Sequence, residues 1–235
     1  MGAILKRELS SYFNSAIAYI VMAMFFGFSG YFFVGTCFMM NTSSLSYTFS
    51  NIFVIVVFLT PIIAMKTFSE EKRQRTDQAL FTSPASLFEI VLGKFLGAFI
   101  LYAICCMIFF VFGIVIQMFT AADWAVIICT TIGILLVGSA LIAIDIFISA
   151  LTESQVIAAV IGMAVGLLTY MMSTIISMIG DIEWLSGALT AISFTNYYQN
   201  FTYGILDLTA IVFFLSVIAL FLFFTARVFE RKRWS

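Results

Sequence analysis

The sequence predicts an all-α membrane protein that crosses the bilayer six times, with both ends on the cytoplasmic side. Three observations predict it: an apolar composition, six runs long enough to span, and basic residues confined to one set of connections. Of the 235 residues, 63% are hydrophobic and 10% are charged. A soluble domain carries about 25% charged residues. A globule of this size could not hide so much apolar surface, so lipid must be the solvent for much of it. The runs are apolar all round and lack the alternation of barrel strands, which favours helices.

Residues 1–14 are too polar to span. Leu5, Leu9, Tyr12 and Phe13 make one apolar stripe, and Lys6, Arg7, Glu8, Ser10 and Ser11 lie mostly off it. This predicts an amphipathic helix in the inner interface. The apolar run behind Lys6 and Arg7 is too long for a signal-peptide core and reads as a retained helix.

A crossing needs roughly 20 apolar residues. Six runs meet that length: Ala16–Met40, Phe49–Met65, Val91–Phe119, Trp124–Leu151, Val156–Ile179 and Leu208–Phe229. With the N-terminus inside, all 11 Lys and Arg fall at the cytoplasmic face. The outer connections 41–48, 120–123 and 180–207 hold only acids: Asp123, Asp181, Glu183 and Asp207. That is the positive-inside pattern, and an odd number of spans would place the Arg227–Arg233 cluster outside. Trp124 and Trp184 fall at outer boundaries and Trp234 at the inner one, as interfacial aromatic residues do. Gly93/Gly97 and Gly162/Gly166 are G-x-x-x-G pairs that predict close helix contacts.

The chain has no histidine. That removes His-ligated metals and His-dependent nucleophiles. Gly27-Phe28-Ser29-Gly30 resembles an intramembrane serine motif but lacks a base, so its small residues read as a helix-approach surface. Cys37, Cys105, Cys106 and Cys129 lie in apolar runs and read as small hydrophobes. No paired deep carboxylates suggest catalysis, and no enzyme activity is expected of this chain.

The connections carry the more specific signals. Residues 66–89 form the largest cytoplasmic segment, with a charged helix from Glu70 to Gln78, an apolar tip at Ala79-Leu80-Phe81, and a stop at Ser83-Pro84. Proline disfavours helix in the residue before it. Pro61 is expected to kink the second span. Docking on a cytoplasmic partner and a solvated loop are equal readings of this segment. Between the fourth and fifth spans, Thr152-x-x-Gln155 fits a capping box. The outer segment 180–207 carries Trp184, Phe194, Tyr197, Tyr198, Phe201 and Tyr203. It predicts re-entrant or interfacial helices, with an exit gate at Tyr197, Tyr198 and Phe201 as the sharper alternative. Asp145 is the one acid deep in an apolar run. It is expected to pair with the backbone or with a hydroxyl such as Ser149; lining a pathway is the alternative.

The stretch from Phe68 to Pro84, including Glu70-Glu71-Lys72-Arg73-Gln74-Arg75-Thr76-Asp77, followed by Glu89-Ile90-Val91-Leu92-Gly93-Lys94-Phe95, resembles the signature of ABC-2 type transporter permeases. Gly204-Ile205-Leu206-Asp207-Leu208 and the ending Phe229-Glu230-Arg231-Lys232-Arg233-Trp234 look like the subgroup tied to gliding motility and nitrous-oxide-reductase maturation. Arg75 stands where the family often has glycine, and Ala79 and Phe81 replace more usual leucine-type positions.

The resemblance covers essentially the whole chain and implies one ABC-2 transmembrane domain over residues 1–235. Such a permease forms half of a translocation pathway, here expected to be an exporter in a bacterial inner or plasma membrane. Its implied partners are an ATP-binding-cassette ATPase, a second identical or related permease, and an accessory membrane or extracytoplasmic protein. The implied coupling residues are Glu70, Glu71, Lys72, Arg73, Arg75, Thr76, Asp77, Leu80, Phe81, Ser83 and Pro84. The chain lacks a G-x-x-x-x-G-K-[ST] loop, so ATP and Mg²⁺ would belong to the partner ATPase. No cofactor of its own and no nucleic acid are expected. An ATP-independent secondary transporter or channel is the alternative. It would show internal repeats and deep charges, and the sequence offers only Asp145.

Overall fold

The computed structural model describes residues 2–39, 45–73, 86–178 and 183–234. Within them the chain is helical, with no β-strand. In order, the helices are α1 (Gly2–Phe13), α2 (Ala16–Phe33), α3 (Ser46–Ala64), α4 (Lys66–Arg73), α5 (Leu87–Cys106), α6 (Ile108–Phe119), α7 (Trp124–Leu151), α8 (Gln155–Met178), α9 (Glu183–Ile192), α10 (Phe194–Thr202) and α11 (Leu208–Trp234). A π-helical turn, Val34–Phe38, extends α2. Among the described residues, six stretches are long and apolar enough to cross a membrane, and they match the six runs expected. The third is broken at Met107, where α5 ends and α6 begins.

The spans divide into a centre and a periphery. α7 is the hub: 78% of its most apolar window is buried, against 22% for α8 and for α11. α3, α5, α8, α10 and α11 all pack on α7. Lipid can solvate the outer faces of α2, α8 and α11, so helices apolar all round need no further protein cover. Gly162 and Gly166 let α8 lie close to α3. A Cβ on Gly162 would stand 2.9 Å from Pro61 Cβ, and one on Gly166 would stand 2.8 Å from Val57 Cγ1. Pro61 has no N–H to offer the Val57 carbonyl one turn back, and that carbonyl faces Gly166.

Two local expectations need correction, and a third, the helix-approach surface at Gly27 and Gly30, meets no helix among the described residues. Among the described residues, no atom beyond the chain neighbours and the nearby backbone of α2 comes within 4 Å of a Cβ built on Gly27 or Gly30. α2 instead turns Ser29 inward, fully buried. The cap of α8 is Ser154, whose hydroxyl accepts from Ile157 N at 3.5 Å; Thr152 spends its hydroxyl on the Ile148 and Ser154 carbonyls. On α1 the inward face holds Glu8 and Tyr12, both buried, while Leu5, Leu9 and Phe13 are only half covered. An acid in a buried helix face requires a partner, and α5 supplies one.

Candidate functional site

The charged segment enters the structure through α4. Glu70, Glu71, Lys72 and Arg73 are described; Arg75, Thr76, Asp77, Leu80, Phe81, Ser83 and Pro84 lie outside the described residues. The root of the segment is held by four other helices: α1, α5, α7 and α11.

Lys94, two turns into α5, is 2% exposed. Its ammonium donates to Glu8 Oε1 at 3.1 Å, to Glu71 Oε1 at 2.8 Å and to the Thr67 carbonyl at 2.9 Å. Three donors meet three acceptors, as burial of an ammonium requires. The Phe68 ring lies 5.1 Å from the same nitrogen. Arg7 reaches the two carboxylates from the solvent side, 3.0 Å from Glu8 and 3.4 Å from Glu71. Two acids and two bases make the cluster neutral.

The G-x-x-x-G pair of α5 explains why these groups can meet. A Cβ on Gly93 would stand 2.9 Å from Ile4 Cγ2, and one on Gly97 would stand 3.0 Å from Glu8 Cβ. Side chains there would push α1 away and pull Glu8 out of reach of Lys94. Tyr12 completes the junction: its hydroxyl donates to the Ile63 carbonyl at 3.1 Å. Burial, with the Glu8 charge adding, pushes the phenol up to about 12, so it remains a donor. A cavity of about 390 Å³ opens beside this cluster, between α1 and α4.

On the opposite side α4 and α7 cap one another. The first N–H groups of a helix have no intrahelical acceptor. Ser149 of α7 accepts from Phe68 N at 3.2 Å and Ser69 N at 3.1 Å, and donates to the Met65 carbonyl at 3.1 Å. In return the Lys72 ammonium donates to the Ala150 carbonyl in the last turn of α7. The Phe68 ring packs on Phe229 of α11, centroids 4.5 Å apart. Glu71 and Lys72, expected to face a partner, thus also serve the root itself.

The other predicted residues lie elsewhere. Asp145 is buried, and its Oδ2 has no hydrogen-bond partner, nor does Oγ1 of Thr60 on α3. Ser149 is not its partner, being committed to α4. Tyr198 donates to the Phe49 carbonyl at 3.2 Å. Phe201 is fully buried against Gly133, and Tyr197 stacks on Phe213 with centroids 4.3 Å apart. These rings form part of the helix core at the other end of the bundle, whereas Trp184 and Tyr203 are exposed.

Sequence reasoning singled out none of Glu8, Tyr12, Lys94 or Ser149 as site residues. The available signal was a lysine between two spaced glycines, three residues inside an apolar run. Among the described residues, no group of three or more His, Cys, Asp or Glu could hold a metal.

A family model described as an ABC-2 family transporter protein matches residues 38–228, more than half of the chain. No curated protein matches it. Six membrane-spanning helices and the span of that match lead to one conclusion: the chain belongs to the ABC-2 transporter family, as a multi-pass permease component of an ABC transporter.

Proposed function

We propose that this chain forms half of a translocation pathway and is driven, through its 66–89 segment, by a separate ATP-binding-cassette ATPase, in the direction of export. Family membership implies the ATPase partner. The observation that carries the coupling role is the root of α4, bonded to α1, α5 and α7 at once. A push on the segment beyond Arg73 would therefore move several helices together rather than bend one loop. Coupling of this kind requires contacts that differ between two global states. In this reading the charged end and both termini face the cytoplasm, following the positive-inside rule. ATP and Mg²⁺ stay with the partner, this chain performs no bond chemistry, and a second permease completes the pathway.

The test replaces residues 74–85 with a short Gly/Ser linker and asks whether an ATPase subunit still co-purifies. Loss of the ATPase with retained folding supports the reading. Normal recruitment, or ATP-independent transport by the chain alone in liposomes, would overturn it.

A further inference from the structure

Asp145 is the buried acid that the root of α4 leaves unused. It is 4% exposed on α7, against which α3 and α8 both pack. A Cβ on Gly162 of α8 would stand 2.5 Å from Asp145 Oδ1 and 2.9 Å from Pro61 Cβ. The carboxyl therefore lies against the α8 backbone, beside the proline turn of α3. Thr60 of α3 is the polar side chain next to it. Neither Asp145 Oδ2 nor Thr60 Oγ1 has a hydrogen-bond partner.

Thr60 is an exception among its kind. Thr36, Thr130, Thr131 and Thr225, buried in other spans, each donate to the carbonyl one turn back, at 2.6–2.8 Å. Thr60 keeps its hydroxyl beside the carboxyl instead. Among the described residues, no charge compensates the acid. Asp145 is the sole charged residue of α7, and α3, α8 and α10 carry none. On α4, Lys72 is bonded to the Ala150 carbonyl and Glu71 to Lys94, Lys66 and Glu70 line the cavity beside α1, and Arg73 is exposed. On α5, Lys94 is enclosed by its two acids and Glu89 closes the capping box with Ser86. On α11, Arg227 pairs with Glu230, and Arg231 is exposed. The buried phenols of α5 and α10, Tyr102 and Tyr198, donate to the Ile134 and Phe49 carbonyls. An ionised Asp145 would thus face one hydroxyl and no cation. A buried charge in that position is neutralised rather than borne, and acids inside spans serve as proton carriers for this reason. A neutral acid and a threonine hydroxyl each have a donor and an acceptor for the other.

We propose that Asp145 is a proton-binding site. The carboxyl is held as the neutral acid while α8 lies against α3 and α7, and it gives its proton to water when α8 withdraws. Release breaks the O–H bond, leaves the electron pair on the carboxylate and passes the proton to the entering water; return reverses each step. The site lies one turn from Ser149, which caps α4, and Met65 alone separates α3 from α4. A displacement of α4 reaches it through both α3 and α7. The proposal goes beyond the permease reading and does not need it, since it requires only that α8 can part from α3.

The experiment places the full chain in nanodiscs of ether-linked lipid, which has no ester carbonyl, and reads the infrared C=O stretch of protonated carboxyl groups. At neutral pH the wild type should show a band that Asp145→Asn loses and Glu71→Gln retains. Thr60→Val leaves Asp145 in place and should move the band to higher frequency by removing its hydrogen-bond partner. Alkaline pH should abolish the band. In the wild type it should also raise amide exchange around Gly162 several-fold beyond the intrinsic pH dependence, and in Asp145→Asn, which mimics the neutral acid, it should not. A wild-type spectrum with no protonated-carboxyl band dependent on Asp145, or the same alkaline rise in exchange in both proteins, would overturn the proposal. If Asp145→Asn does not fold, the Thr60→Val shift carries the test, and an unmoved band overturns it.

Discussion

The two ends of the bundle handle buried polar groups in opposite ways. At the root of α4, ions meet ions: Lys94 is enclosed by Glu8, Glu71 and the Thr67 carbonyl. At the far end the polar wall is uncharged, and its hydroxyls spend their protons on helix carbonyls. A closed ion cluster fixes the distance between the elements that contribute to it, because any displacement leaves a charge unpaired in low dielectric. A hydroxyl bonded to a carbonyl of its own or a neighbouring helix loses less when helices shift. The first arrangement holds helices at fixed separation, and the second tolerates small displacements.

The sharpest way to break this comparison is Lys94→Met, which leaves two carboxylates facing each other without their buried cation. Removing one partner of a buried pair costs about 3–5 kcal/mol, and thermal unfolding in nanodiscs should show a loss of that order. Adding Glu8→Gln and Glu71→Gln should recover most of it. A mild single-mutant effect would mean that the cluster is solvated. Ser149→Ala comes next. It strands the Phe68 and Ser69 N–H groups of α4, at about 1–3 kcal/mol for each group left unsatisfied, while the Met65 carbonyl keeps the Ser69 hydroxyl as donor. Hydrogen exchange should rise at Phe68 and Ser69 and stay unchanged at Tyr198.

Gly133→Ala tests packing at the far end. Its Cβ would meet Phe201 Cβ and Cγ at 2.7 Å, and overpacking of this kind costs about 1–3 kcal/mol. ATPase recruitment should persist in that variant, since the charged root is untouched. Ser86→Ala removes the capping box of α5, worth about 1 kcal/mol by unfolding. Smallest of all is Arg227→Ala. The Arg227–Glu230 pair is 62% and 45% exposed, and screened surface pairs contribute roughly 0–1 kcal/mol. Added salt should erase whatever difference is seen, whereas the Lys94 effect should survive it.

Asp207 gives the pH counterpart of the exposed pair. Its carboxylate accepts from the Asn200 side chain and the Thr209 backbone N–H, and these bonds hold it below the usual aspartate range. The depressed value favours the folded form above the ordinary aspartate range, and that contribution fades as pH falls through the folded-state value. Acid should therefore loosen the start of α11 while leaving the Tyr12–Ile63 bond intact.

Much was legible in the sequence because the bilayer imposes simple conditions. A run of roughly 20 apolar residues has few alternatives to a spanning helix. All six runs became helices, and the two G-x-x-x-G pairs became close contacts. Single polar residues were less legible. Asp145 and Ser149 lie one turn apart, so pairing looked natural, yet Ser149 faces the unsatisfied N–H groups of α4. Tyr198 and Phe201 suggested an interface or a gate, and nothing in the sequence signalled that they would pack on α3 and α7. Glu8 fell off the apolar stripe of α1 and still became its buried centre.

By itself the sequence determined the solvent of this protein and the six helices long and apolar enough to cross it. Those properties are sums over many residues, and no single contact can reverse them. Only the tertiary structure decided that Lys94 closes on Glu8 and Glu71 and that Ser149 caps another helix. Each depends on which helix faces which, at distances of a few ångströms. Periodicity along one chain does not encode the rotation and depth at which two helices meet.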